Sequence, residues 1–249
     1  MKPLILITND DGDKSKGILT LTRLMMQLGD VVVMAPDGVR SAQSNAITIT
    51  QPIRYKKIEE NPEFASYTCN GTPTDCVKFA LSELFRTRKP DLVVSGINHG
   101  ANSAINVIYS GTMGAVLEAC INGISAVGFS LANYSPNADF SQFEPYILKI
   151  VKQLLENPLP YGYCLNVNCP TGEIKGVKIA RQSKGRWVEE FDKRIDPYGQ
   201  QYFWITGYFK NEEPDAADTD EWALANGFIS IVPTKIDMTA YELIKNLRF

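Results

Sequence analysis

The sequence predicts an α/β protein with a doubly wound, mostly parallel sheet, followed by a C-terminal β-rich extension and a closing helix. Short apolar strands alternate with amphipathic helical segments through about residue 157, which is typical of parallel sheets covered by helices. Beyond that point the segments become rich in aromatic and β-branched residues, which favours paired strands. We therefore place the α/β core at residues 1–157 and the extension at residues 158–249.

The first half of the core is predicted to contain four strands and two helices. The first strand, Pro3–Thr8, is apolar without alternation, as expected where both faces of a parallel strand are covered. Helical spacing follows over Gly17–Leu28, and a second helix begins at Thr72 with Pro73 at its first position. The other predicted strands are Val31–Met34, Ile47–Thr50 and Ala65–Thr68.

The rest of the chain continues the alternation of strands and helices through about residue 157, and the segments beyond that point no longer follow it. The predicted core elements are strand Leu92–Val94, helix Gly114–Ile121, strand Ser125–Phe129 and helix Phe143–Leu155. The extension is predicted to contain strands within Leu165–Ala180, Tyr202–Tyr208 and Ile229–Val232, a loop over Asn211–Asp220 and a closing helix over Thr239–Leu247. The aromatic segments Arg186–Phe191 and Gln201–Trp204 are predicted to pair as a hairpin, and their apolar rings favour a contact between subunits.

Composition and charge exclude several classes of protein. The chain has 249 residues, a net charge of −3 and no basic run, which argues against a nucleic-acid polymer as partner. Because no apolar run reaches membrane-spanning length and no signal-peptide pattern is present, we expect a cytoplasmic protein without a membrane partner. The five cysteines form no CxxC pair, which indicates free thiols in a reducing compartment.

A single histidine, His99, limits the chemistry further. It excludes a three-histidine zinc site, and a Ser-His-Asp triad is disfavoured because no G-x-S-x-G elbow occurs. A nicotinamide-dependent dehydrogenase is also disfavoured, since Asn-Asp-Asp-Gly follows the first strand in place of the G-x-G-x-x-G fingerprint. Hydrolysis by this chain would depend on carboxylates, hydroxyls, amides and a metal ion.

The most informative motif is Asn9-Asp10-Asp11-Gly12, directly after the first strand. Ligands of open α/β sheets bind beyond the carboxyl ends of the strands, so the two acids stand where a site is expected. Two carboxylates about 4 Å apart repel by ~4 kcal/mol at an effective dielectric constant of 20, and a divalent cation would remove that repulsion. An ordinary Asp-Gly turn is the other interpretation, and this segment alone does not decide between them.

Further polar segments are expected to converge on these acids, because parallel strands bring their carboxyl ends to one edge of the sheet. Three of them follow predicted strands: residues 40–45, 70–75 and 95–102. A fourth, Ser110-Gly111-Thr112, opens a predicted helix, where free N–H groups and the helix dipole favour an anion. Simple helix capping would use the same residues.

These motifs together resemble the SurE family of stationary-phase survival proteins and 5′-nucleotidases. The matching segments, in order over nearly the whole chain, are residues 5–12, 35–48, 70–76, 94–98, 109–112 and 227–231. The resemblance implies a Rossmann-like fold and a metal-dependent phosphatase acting on nucleoside 5′-monophosphates, with 3′-monophosphates and short polyphosphate as further substrates. It also implies a homodimer or homotetramer that exchanges C-terminal elements.

The resemblance also implies one Mg²⁺ or Mn²⁺ ion and a set of site residues. By position, the metal ligands are Asp10, Asp11, Ser41 and Asn98, and the phosphate-binding residues are Asn45, Ser110, Gly111 and Thr112. Asp10 and Asp11 would also be catalytic, one of them accepting a proton from the attacking water. The chain departs from the family pattern at Val39, Ala42 and Met113, which leaves the ligand oxygens intact and puts the substrate preference in doubt.

Two other hypotheses stay open at the level of sequence. Asp11-Gly12-Asp13 is superficially similar to the motif of phosphatases that form an aspartyl phosphate, but Lys14 follows where a hydroxyl or a small apolar residue is usual. A non-enzymatic nucleotide-binding protein on the same fold would bind nucleotide without releasing phosphate. The sequence identifies neither the preferred base and phosphate position nor the metal, the oligomer number or the general acid.

Overall fold

A nine-stranded mixed sheet forms the centre of the computed structural model, which describes residues 2–248. The strands are β1 (Leu4–Thr8), β2 (Asp30–Pro36), β3 (Tyr55–Asn61), β4 (Phe64–Cys69), β5 (Leu92–His99), β6 (Ala126–Leu131), β7 (Tyr163–Cys169), β8 (Gly176–Ile179), β9 (Gly185–Val188), β10 (Phe191–Ile195), β11 (Gln201–Ile205), β12 (Tyr208–Asn211) and β13 (Phe228–Lys235). The large sheet has the order β3-β4-β2-β1-β5-β6-β7-β13-β8, and its pairs are parallel except β3 with β4 and β7 with β13.

Helices cover both faces of this sheet. They are α1 (Lys16–Met25), α2 (Pro73–Phe79, continued by a π-helical turn over Ala80–Leu84), α3 (Asn106–Tyr109), α4 (Gly111–Ile121), α5 (Glu144–Glu156), α6 (Asp220–Ala225) and α7 (Tyr241–Ile244). The apolar side chains of α1 and α5 pack in one cluster, and those of α2 and α4 in another. Ile5 and Ile7 join the first cluster while Leu6 joins the second, so β1 is covered on both faces and the predicted doubly wound α/β fold is confirmed.

Side-chain caps determine where the helices next to the sheet edge begin. The Ser15 hydroxyl accepts a hydrogen bond from the Ile18 N–H at the start of α1. Thr72 and Asp75 form a reciprocal capping box at the start of α2, which confirms the predicted helix start at Thr72-Pro73. The Ser110 hydroxyl caps α4, so this helix begins at Gly111, three residues earlier than predicted.

One predicted element is wrong, and another is shorter than predicted. Residues 47–50, all within the described part of the chain, form no strand; Ile47 and Ile49 are 50 % and 82 % exposed and lack a partner strand. The edge strand that pairs with β4 is instead β3, with all seven residues exposed. Because several of its side chains are charged, it lacks the hydrophobic pattern from which strands are predicted. The closing helix predicted over Thr239–Leu247 is present as the shorter helix α7. Its apolar residues are exposed, so packing against the rest of the protein does not stabilise a longer helix.

The aromatic segments of the extension form a long two-stranded projection, which we call the arm (residues 185–211). β9 pairs with β12 and β10 pairs with β11, all antiparallel. Glu189, with φ 55°, and Gly207, with φ 95°, separate the two halves of the ladder. Both segments predicted to form a hairpin lie in this arm, but they do not pair with each other as predicted: Arg186–Val188 pairs with Tyr208–Lys210, and Gln201–Trp204 pairs with Asp192–Ile195.

The large sheet continues past residue 157. β7, β8 and β13 all follow that position and extend the sheet beyond β6. The segment predicted as strand over Leu165–Ala180 is divided, because residues 170–175 form a loop between β7 and β8. The division into core and extension at residue 157 stays a prediction. No helix within residues 2–248 is long and apolar enough to cross a membrane.

Candidate active site

The two acids of the Asn-Asp-Asp-Gly motif lie at the carboxyl edge of the sheet, at its topological switch point. The chain runs from β1 to β2 on one side and later returns to pair β5 on the other side of β1. Ligands of open α/β sheets bind at this position. Asp10 is buried, Asp11 is half-buried, and Gly12 turns the chain with φ 93°.

The Asp10 carboxylate contacts the N-terminus of α4. The Thr112 hydroxyl donates a hydrogen bond to Asp10 Oδ1 at 2.6 Å. A Cβ atom built on Gly111 would lie 2.9 Å from Asp10 Cβ and 3.1 Å from Oδ2, closer than real Cβ atoms normally approach. Glycine at position 111 therefore allows the positive end of the helix to come against the acid.

Burial changes the acidity of Asp10. Loss of solvent is the main cause that raises the pKa of its carboxyl to about 6; the Asp11 charge adds to this rise, and the Thr112 hydrogen bond opposes it. An ionised Asp10 is therefore costly here unless a positive charge compensates it. A buried acid with a raised pKa at a switch point is typical of a functional site.

Asp11 is held by the one histidine of the chain. The backbone N–H of His99 donates to Asp11 Oδ2 at 3.2 Å, and the ring atom Nδ1 lies 3.0 Å from the same oxygen. The His99 side chain is only 12 % exposed. Sequence reasoning missed this residue because the contact joins positions 88 apart, and only the pairing of β1 with β5 brings them together.

Asn98 reaches the same edge through an irregularity in β5. The register between β5 and β6 shifts between Ser95 and Asn98, and the Gly96–Ile97 peptide bond within this stretch is cis. Bulges of this kind change the direction of a side chain near the end of a strand. The Asn98 side chain is buried and donates from Nδ2 to the Gly100 carbonyl at 2.8 Å, which leaves its Oδ1 available as an acceptor.

The loop after β2 contacts both the backbone of the first acid and the helices α3 and α4. The Arg40 N–H donates to the carbonyl of Asp10 at 2.7 Å, and the Ser44 N–H donates to a carbonyl of α3 at 3.0 Å. A Cβ atom on Gly114 would lie 2.9 Å from Asn45 Oδ1, so Asn45 contacts α4 one turn after Gly111. Ser41 and Asn45 are both exposed.

The segment 70–75 also forms hydrogen bonds with the loop after β2. The Thr72 hydroxyl donates to the carbonyl of Ala46 at 2.7 Å, and the Thr48 N–H donates to the Asp75 carboxylate at 3.1 Å. Arg40 donates to the carbonyl of Asn70 at 3.3 Å. These hydrogen bonds show that the segment holds the 40–48 loop in place.

The family model for survival protein SurE matches residues 5–189. The chain belongs to the SurE family. It is 51 % identical over 248 residues to the 5′-nucleotidase SurE of Phocaeicola vulgatus, covering 99 % of this chain and 96 % of that protein. It is 53 % identical over 250 residues to the 5′-nucleotidase SurE of Flavobacterium psychrophilum, with the same coverage.

A solved structure agrees with these relatives. The crystal structure of the SurE protein from Aquifex aeolicus superposes with a TM-score of 0.85 at 38 % sequence identity, covering 98 % of each chain. This likeness confirms the α/β fold, and the family match confirms the resemblance inferred from the motifs. No group of three His, Cys, Asp or Glu side chains within residues 2–248 is arranged to hold a metal ion.

Proposed function

We propose that this chain is a metal-dependent 5′-nucleotidase that hydrolyses nucleoside 5′-monophosphates by attack of a water molecule. The observation that carries the proposal is the buried Asp10 carboxylate, next to Asp11 and against the N-terminus of α4. The enzyme class, a phosphoric monoester hydrolase, rests on the relatives, which are named 5′-nucleotidase SurE. Nucleoside 3′-monophosphates and short polyphosphate are proposed as further substrates.

A divalent cation fits the donors at this edge. The proposed ligands are the oxygens of Asp10, Asp11, Ser41 and Asn98. Two carboxylates with neutral hydroxyl and amide oxygens suit Mg²⁺ or Mn²⁺ better than zinc. The raised pKa of Asp10 supports a cation there, because a positive charge would stabilise the ionised acid.

The phosphate would bind at the N-terminus of α4, beside the acids. The Ser110 hydroxyl oxygen accepts the Met113 N–H at 3.0 Å, so its own proton is free to donate to a phosphate oxygen. The free N–H groups of the first helical turn and the Asn45 amide add fixed donors, which stabilise charge in the transition state without rearrangement.

Proton transfer would fall to one of the two acids. When bound, the divalent ion would polarise the phosphoryl group and lower the pKa of the attacking water. Asp10 or Asp11 then accepts the proton of that water.

A homodimer or homotetramer is proposed from apolar surface that a monomer would leave in water. The arm exposes Phe191, Trp204 and Ile205 by 67 %, 59 % and 79 %. Tyr241 and Ile244 of α7 are each 59 % exposed. Contiguous apolar surface of this kind marks protein contacts. The five cysteines are free and buried, which supports the proposed cytoplasmic location.

Phosphate release from a panel of nucleoside 5′- and 3′-monophosphates and short polyphosphate tests the proposal. We expect release with added Mn²⁺ or Mg²⁺, none with EDTA, and loss of most activity in Asp10→Asn. Asp215→Asn, at an exposed position on a loop, is the matched control and should keep wild-type turnover. Nucleotide binding without phosphate release would contradict the enzyme, and a trapped aspartyl phosphate would contradict direct attack by water.

A further inference from the structure

The two carboxylates of the site are held in different ways. Asp10 accepts one side-chain hydrogen bond at Oδ1, from Thr112. Asp11 accepts two hydrogen bonds from a single residue, His99, and both end on Oδ2. Among the hydrogen bonds formed within residues 2–248, none ends on Asp11 Oδ1. One oxygen of Asp11 is thus tied to the protein and the other remains available.

The direction of the ring hydrogen bond follows from the partner. An ionised carboxylate only accepts hydrogen bonds, so His99 Nδ1 is the donor. The ring is also fixed by packing, since it lies in a T-shaped arrangement with Phe140, with 5.4 Å between the ring centroids. Lys16 in turn lies over Phe140 and donates to the carbonyl of Ala138 at 2.6 Å, so the aromatic neighbour is itself held in place.

We propose that His99 is a positioning residue for the divalent cation. Its Nδ1–H and its backbone N–H together hold Oδ2 of Asp11, so that the side chain has already lost its rotational freedom and presents Oδ1 to the ion. The inference rests on the proposed function, because it assigns a role toward the ion of that same site. Hydrogen bonds from outside the ligand set that orient a ligand commonly change metal affinity by about 10–100-fold.

Three substitutions at position 99 separate this role from general packing. Asn carries its amide nitrogen on Cγ, where histidine carries Nδ1, so His99→Asn keeps the donor to Asp11. His99→Gln carries its amide nitrogen one bond further out, at the position of Nε2. His99→Leu has no donor and fills a similar volume. All three keep the backbone N–H that reaches Asp11 at 3.2 Å.

The first readout is the affinity of the full-length, metal-free protein for Mn²⁺, measured by isothermal titration calorimetry. We expect His99→Asn to bind Mn²⁺ within about threefold of the wild type, and His99→Leu and His99→Gln to bind about 10-fold more weakly. At saturating Mn²⁺ the substrate kcat of all variants should recover toward the wild-type value. Wild-type affinity in His99→Leu would overturn the proposal, and so would an equal loss in His99→Asn and His99→Leu.

The second readout needs no metal. Because the chain has one histidine, a protein labelled with ¹⁵N-histidine gives ring signals from His99 alone. We expect the ring proton on Nδ1, with slow exchange that becomes fast in Asp11→Ala. A neutral ring protonated on Nε2 would refute the hydrogen bond, whatever the metal does.

Failure of the inference can be told apart from failure of the proposed function. If the wild type binds Mn²⁺ and releases phosphate while His99→Leu behaves identically, only the role of His99 is wrong. If the wild type neither binds Mn²⁺ nor releases phosphate, the proposed function itself is wrong. Thermal unfolding of each variant in EDTA confirms that the comparison is made between folded proteins.

Discussion

Replacing Asp10 by asparagine is expected to abolish activity and, in the absence of metal, to stabilise the fold. The carboxylate is 3 % exposed, and burial raises its pKa to about 6 from an ordinary 3.8. Asparagine has the same shape and no charge, and its Oδ1 still accepts the hydrogen bond from Thr112. The substitution therefore removes the buried charge and keeps the contact with α4.

The size and sign of the effect follow from the two pKa values. A carboxyl group whose pKa is raised in the folded state makes its full favourable contribution to the free energy of unfolding below pH 3.8. This contribution is lost as the pH rises through 6. Two pH units correspond to roughly 3 kcal/mol, an upper bound for the penalty of the ionised Asp10 at pH 7.5. We expect Asp10→Asn to raise the free energy of unfolding by about 1–3 kcal/mol at that pH, which corresponds to a rise in Tm of roughly 2–10 °C for a chain of this size.

Thermal unfolding in EDTA at pH 7.5 and pH 4 measures this directly. The variant should melt above the wild type at pH 7.5, and the difference should shrink toward zero at pH 4, where both side chains are neutral. Added Mn²⁺ should raise the Tm of the wild type and leave the variant nearly unchanged, since ligand binding stabilises only a protein that binds it. A variant less stable than the wild type at pH 7.5, or a gain independent of pH, would refute the reasoning about the buried charge.

Three further predictions concern other parts of the molecule. Gly111→Ala places a Cβ atom 2.9 Å from the Cβ atom of Asp10 and should lower kcat/KM about 100-fold. In the control Gly38→Ala, the new Cβ atom meets only the flexible side chain of Arg40 at 3.6 Å, so kcat/KM should stay at the wild-type value. Equal kcat/KM in the two variants would contradict the close approach of α4 to Asp10. Ala42→Gly relieves a left-handed backbone of φ 58° and should raise the free energy of unfolding by about 0.5–1 kcal/mol in denaturant titrations, and a decrease would show that this backbone is unstrained. Trp204→Lys on the arm should lower the molar mass that light scattering measures. Tyr161 lies outside the arm and is 70 % exposed, so the control Tyr161→Lys should leave the molar mass unchanged. An unchanged molar mass in both variants would exclude the arm as an oligomer contact.

The sequence predicts the core of the fold because its strands are apolar on both faces. β1 and β5 carry uninterrupted apolar runs whose side chains enter both hydrophobic clusters, so the pattern alone identifies them. β3 carries Lys56, Lys57, Glu59 and Glu60 and lies at the edge, where pairing with β4 rather than burial stabilises it. The register of the arm depends on Glu189 and Gly207, and no local pattern shows where that ladder breaks.

The site is predictable to the extent that its residues lie in motifs at strand ends. Asp10 and Asp11 follow a buried strand, and the topology brings the start of α4 against Asp10. His99 could not be assigned from the sequence, because a lone histidine carries no signal until the pairing of β1 with β5 is known. The position of Ser41 depends on a loop that hydrogen bonds from three separate segments hold in place.

The position of a bound manganese ion would show whether Asp10 and Asp11 share one metal site. Anomalous diffraction at the manganese absorption edge, from crystals grown with MnCl₂ and a nucleoside monophosphate, would locate it. We expect one peak within ~2.5 Å of a carboxylate oxygen of both Asp10 and Asp11, with the phosphate at the N-terminus of α4. A peak elsewhere, or an empty site at saturating Mn²⁺, would contradict it.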